Sequence, residues 1–93
     1  MTDEEIKFAI KTIYREVAQH TAKRVGHRLA KKAMQRLTES IDRNKGSLED
    51  MKTDLYQRAT ASRSDNLAWS MFGEVIVHFV QVRDKLDKKR AIQ

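Results

Sequence analysis

Along the first forty residues apolar side chains return every three to five positions, mostly every four: Ile6, Ile10, Ile13, Val17, Ala22, Val25, Leu29, Ala33, Leu37 and Ile41. That return is the spacing of one face of an α-helix, with polar residues filling the positions between. Thr2 stands before the run with Glu5 three residues on, a capping-box spacing, and Asp3 and Glu4 put negative charge where the helix dipole favours it. Asp42, Arg43, Asn44, Lys45 and Gly46 then supply turn chemistry and a glycine able to take positive φ. The pattern predicts a first helix over about 3–42.

Ser47 with Asp50 repeats the capping-box spacing, and Leu48, Met51, Leu55 and Ala59 share one face, which predicts a short second helix over 47–60. Residues 59–65 read as a loop, with Ser64 or Asp65 capping a third helix over 65–90. There Ala68, Phe72, Val75, Phe79, Val82 and Leu86 alternate steps of four and three, and Trp69, Ile76 and Val80 widen the seam. Residues 75–82 are rich in β-branched side chains and would pass for a strand on propensity. Helix is the better assignment, because both flanks continue the seam and a lone strand has no partner for its backbone groups. The fold class is therefore all-α: a single domain over 1–93, a three-helix antiparallel bundle with a long first helix.

That first helix poses a problem of length. Forty residues at 1.5 Å each make a rod of about 60 Å, roughly twice the width of a compact domain of this size. The expectation is a continuous helix paired with a second copy in an elongated homodimer, since one internal glycine costs only about 1 kcal/mol. The alternative is a break near Gly26, which gives four helices. Ala18, Ala22, Gly26 and Ala30, four apart, would let two helix backbones approach closely, and with Trp69 and Phe72 they are the candidate self-association seam.

Charge changes the picture more than composition does. The chain carries a net +6, and between Glu16 and Glu39 there is no acidic residue while Lys23, Arg24, Arg28, Lys31, Lys32 and Arg36 supply six cations. The segments on either side cancel one another, so the surplus resides in this window. On a continuous helix these cations and His27 share one face, and the small and apolar residues the other. Such a face neutralises phosphates of DNA or RNA, or docks on an acidic protein; the plainer possibility is a solvated face, or one paired with Glu49, Asp50 and Asp54. Trp69, Phe72 and Phe79 fall on the core seam rather than beside the cations, so contact with the backbone and little sequence preference is expected. A helix-turn-helix fits badly, since His27, Lys32 and Gln35 occupy positions that need apolar anchors.

Catalytic chemistry is sparse. His20 and His27 are two turns apart and cannot share a metal, His78 lies in an apolar helix, and no serine pairs with a base. No metal, cofactor or enzyme activity is expected. Cysteine is absent, no stretch is long and apolar enough to span a bilayer, and Asp3, Glu4 and Glu5 do not suit a secretory leader, so a soluble cytoplasmic protein without a membrane partner is expected. Two functions follow: a basic binding protein that contacts a nucleic-acid backbone through Lys23, Arg24, His27, Arg28, Lys31, Lys32 and Arg36, or a protein-interaction module. The latter would be an inhibitor, immunity or adaptor protein that docks through the same face or through the Trp69 and Phe72 seam.

Overall fold

A computed structural model describes residues 2–92, with the side chains of Leu86, Arg90, Ala91 and Ile92 outside the description. The described residues form four helices and no strand: α1 (Asp3–Val25), α2 (His27–Arg43), α3 (Leu48–Arg58) and α4 (Arg63–Ile92). The β-branched stretch 75–82 is helical, inside α4.

The capping signals sit where the sequence puts them at two helix starts. The Thr2 hydroxyl accepts from the Glu5 N–H and the Glu5 carboxylate accepts from the Thr2 N–H, closing the box at α1. Ser47 accepts from the Asp50 N–H at α3. The last helix starts earlier than expected. Ser62, not Ser64 or Asp65, is its cap: the Asp65 N–H donates to Ser62 Oγ at 3.0 Å, and Ser62 Oγ donates to the Asp65 carboxylate at 2.7 Å. The Ser62 hydroxyl thus caps one orphan backbone N–H of the first turn while its own proton is held by the carboxylate of Asp65.

The expected continuous helix over 3–42 does not form. Gly26 has φ 94° and ψ 155°, a conformation essentially reserved for glycine, and ends α1 while α2 begins at the next residue. The Gly26 N–H still donates to the Ala22 carbonyl at 2.8 Å and the Gly26 carbonyl accepts from the Ala30 N–H at 3.2 Å, so a single residue turns the corner. The cost of opening the helix is small beside the apolar area two shorter helices bury by folding back on one another. This corner also removes the length argument for an elongated pair.

α1 and α2 lie side by side in opposite directions, as the pairs Lys11 with Asp42 and Tyr14 with Thr38 show. Thr38 donates its own proton to the Met34 carbonyl, so Tyr14 is the donor in the second pair. The start of α4 lies beside the corner, where Val25, Leu29, Asn66, Leu67 and Ser70 line one depression, and α4 then runs back along both helices. Ile10, Tyr14, Val17, Ala33, Leu37, Ile41, Ala68, Met71, Phe72, Val75 and Phe79 make the common core, with Met51 and Leu55 of α3 closing one side. Thirty residues at 1.5 Å make α4 about 45 Å long, the long axis of a molecule 46 × 26 × 16 Å.

The seam of α4 stops being core partway along. Phe79 is buried, Val82 is 40 % exposed, and the Leu86 side chain is among those not described. Gly73, where the sequence suggests a close helix crossing beside Trp69, is exposed with nothing near the place a Cβ would occupy. Close approach falls instead at Gly46, with φ 79°, where a Cβ would lie 3.0 Å from the Lys7 side chain and 3.3 Å from the Asp3 carbonyl oxygen.

Candidate nucleic-acid interface

Turning at Gly26 separates the cations that a straight helix would have aligned, yet keeps them together. Lys23 and Arg24 occupy the last turn of α1, His27 and Arg28 the first turn of α2, and Lys31 and Lys32 the next turn; all six are exposed. The cations therefore share no single face of a rod but are distributed around a bend. No side chain caps α2, and its first turn holds no acidic residue. Arg28 consequently sits at a helix end whose dipole repels it, with no local carboxylate in compensation.

Among the described residues Lys23, Arg24, Arg28, Lys31 and Lys32 make no ion pair. Arg36 differs. Its guanidinium lies 3.4 Å from Glu39 and 3.4 Å from Asp65, the latter carboxylate only 15 % exposed. Two carboxylates already neutralise it, so of the seven residues expected to contact a polyanion it is the least available. Asp54, a suspected partner of this face, faces Arg43 and Arg58 instead.

Two concavities flank the first turns of α2. On one side Arg15, Gln19, His27 and Lys31 rim a groove of about 390 Å³ floored by Ala18, Ala22, Ala30 and Met34. On the other, His27, Arg28, Lys32 and Arg63 surround a depression of about 510 Å³ with Val25, Gly26, Leu29 and Ser64. Neither lining contains an acid. Arg15 and Arg63 are exposed, make no ion pair among the described residues, and were not part of the sequence expectation. Glu16 beside Arg15 ended the acid-free window there. Arg63 lies in what reads as a loop, and only the tertiary fold brings it to Lys32.

The small residues have their place inside the chain. Ala18 and Ala30 are buried and Ala22 is half-buried along the facing sides of α1 and α2, while Gly26 is the corner itself. Phe72 is buried in the core and Trp69 half-buried. Trp69 stacks on Phe72 with ring centres 6.3 Å apart and meets the exposed Tyr56 edge to face at 5.4 Å. With Leu48, Gly73 and Ile76, the Trp69 and Phe72 rings line a cleft of about 330 Å³ between α3 and α4.

His20, His27 and His78 are all exposed, and among the described residues no three histidine, aspartate or glutamate side chains gather to hold a metal ion. No helix among them is long and apolar enough to cross a membrane. Compared with known protein families, with curated proteins and with solved structures, the chain matches none.

Proposed function

We propose that this is a non-enzymatic binding protein whose cationic corner, built from Lys23, Arg24, His27, Arg28, Lys31 and Lys32, contacts the phosphate backbone of DNA or RNA. The observation that carries the reading is the contrast within the chain's own arginines and lysines. Those at the corner are exposed and unpaired around an acid-free surface, whereas Arg36, Arg43 and Arg58 each face a carboxylate. Unpaired cations crowded at one place repel each other, and a polyanion relieves that repulsion while releasing its condensed counterions.

Fluorescence anisotropy of labelled oligonucleotides across a salt series tests this. The five corner lysines and arginines alone predict a fall of log K with log salt at least as steep as a slope of about −4 to −5 on duplex DNA. A flat response at low salt would refute the reading.

One observation favours a second reading, a protein-interaction module of the inhibitor, immunity or adaptor kind. The cleft of Leu48, Trp69, Phe72 and Ile76, which Glu49 and Lys52 also line, is mostly apolar and lies beside the exposed ring of Tyr56, and aromatic residues in a cleft are the usual anchors of protein interfaces. Capture of a protein partner that persists after nuclease treatment, and is lost in Trp69→Ala, would favour this reading over the first.

A further inference from the structure

The polyanion reading leaves open what form of nucleic acid the corner accepts, and the inference drawn here rests on that reading. Ala30, Ala33, Leu37 and Ile41 are the buried line of α2. At 100° per residue the opposite line runs through Arg28 and Gln35, with Lys31 and Lys32 to either side, and all four are exposed. The crest of the first turns of α2 is therefore cationic. So are both of its flanks: Lys31, His27 and, from α1, Arg15 border the groove on one side, while Lys32 and, from the first turn of α4, Arg63 border the depression on the other.

We propose that the N-terminal half of α2 is a ridge that enters the major groove of duplex DNA, with Arg15 and Arg63 holding the phosphates on the two opposite walls. The sizes agree: an α-helix with its side chains is about 10–12 Å across, and the B-form major groove is about 12 Å wide. A single strand has one line of phosphates and gives the second flank nothing to hold. Duplex RNA has two lines, but its major groove is too deep and narrow to admit a helix. The far half of α2 sets the limit of insertion, because Glu39 and Asp42 lie on the outward face there and would meet phosphates with like charge. Only the end with Arg28, Lys31 and Lys32 goes in. Arg36, already held by Glu39 and Asp65, takes no part.

The test uses three labelled oligomers of matched sequence and length, duplex DNA, duplex RNA and single-stranded DNA, read by anisotropy over a salt series. The expected order puts duplex DNA tightest, and Arg15→Gln and Arg63→Gln each flatten the duplex-DNA salt slope by about one, the loss of one phosphate contact. Arg36→Gln leaves the slope where it was. Circular dichroism of each variant, unchanged in helix content, shows that the losses come from charge and not from unfolding. Duplex RNA or single strand bound as tightly as duplex DNA, or slopes unmoved in both flank variants, would overturn the groove geometry while the polyanion reading stands. Absence of salt-dependent binding to all three oligomers would remove both.

Discussion

Two corners of this molecule use the same residue types to opposite ends. At the junction of α2 with α3, the carboxylate of Asp54 receives Ser40 Oγ at 2.8 Å, Asn44 Nδ2 at 3.2 Å, Arg58 Nε at 2.9 Å and the Arg43 guanidinium. Burial pushes this carboxyl's pKa up, but hydrogen bonds from Arg43, Ser40 and Arg58, together with the charge of Arg43, outweigh it and lower the value from 3.8 to about 2. Both arginines there, Arg43 and Arg58, have their anion. At the junction of α1 with α2, arginines and lysines surround a helix start with no acid and no capping side chain. The first corner is closed and stabilises the fold; the second is open, and its electrostatic cost within the chain is what the proposed polyanion contact would relieve.

The comparison can be broken from either side. Asp54→Ala should have the largest effect on stability, a loss of about 2–3 kcal/mol, because it removes the acceptor shared by the buried Ser40 hydroxyl, the half-buried Asn44 amide and the guanidinium groups of Arg43 and Arg58. Denaturant unfolding at neutral pH would check it. The acid limb sharpens the same point. Asp54 has a folded value below its unfolded one, so its contribution is complete above about pH 3.8 and is lost as the pH falls through about 2. Acid unfolding of the wild type should therefore steepen in that window, and the alanine variant should lose that part of the transition.

Gly26→Ala comes next, at about 1–3 kcal/mol, since the open corner depends on a backbone conformation that only glycine adopts without strain. Nothing lies within 4 Å of the added Cβ, so a clash cannot account for the loss. Thermal melting of the variant would show it; an unchanged melting temperature would mean that the corner is not held at this φ and ψ. The smallest effect concerns Thr21, whose buried Oγ1 has no hydrogen-bond partner among the described residues. Thr21→Val keeps the shape and removes the stranded hydroxyl. It should raise stability by about 1 kcal/mol, a rise in melting temperature of roughly 4–8 °C for a domain of this size.

The helices were readable because their signals are local. The four-residue return of apolar side chains, the capping box at Thr2, the cap at Ser47, and the seam through Ala68, Phe72, Val75 and Phe79 each depend on neighbours within a few turns. What failed depends on distance. Gly26 looked tolerable because its neighbours favour helix, and the energy that breaks the helix there comes from α1 and α2 burying Val17, Ala33 and Leu37 against α4. The cationic cluster was visible in the acid-free window, but its shape was not. Arg36 is neutralised by Asp65 from a segment that reads as loop, and Arg63 joins the corner from the same segment. Neither exchange has any trace in local spacing.

Charge by itself could attract a polyanion to any basic protein, so the decisive measurement holds net charge constant. Lys23, Arg28 and Lys32 are replaced together by glutamine in one variant, and the exposed Lys85, Lys88 and Lys89 of the α4 tail in another, which removes three charges from each. Both are titrated with duplex DNA over the same salt series. The account predicts that the corner variant loses about three units of salt slope while the tail variant keeps the wild-type slope. Equal losses in the two variants would contradict it.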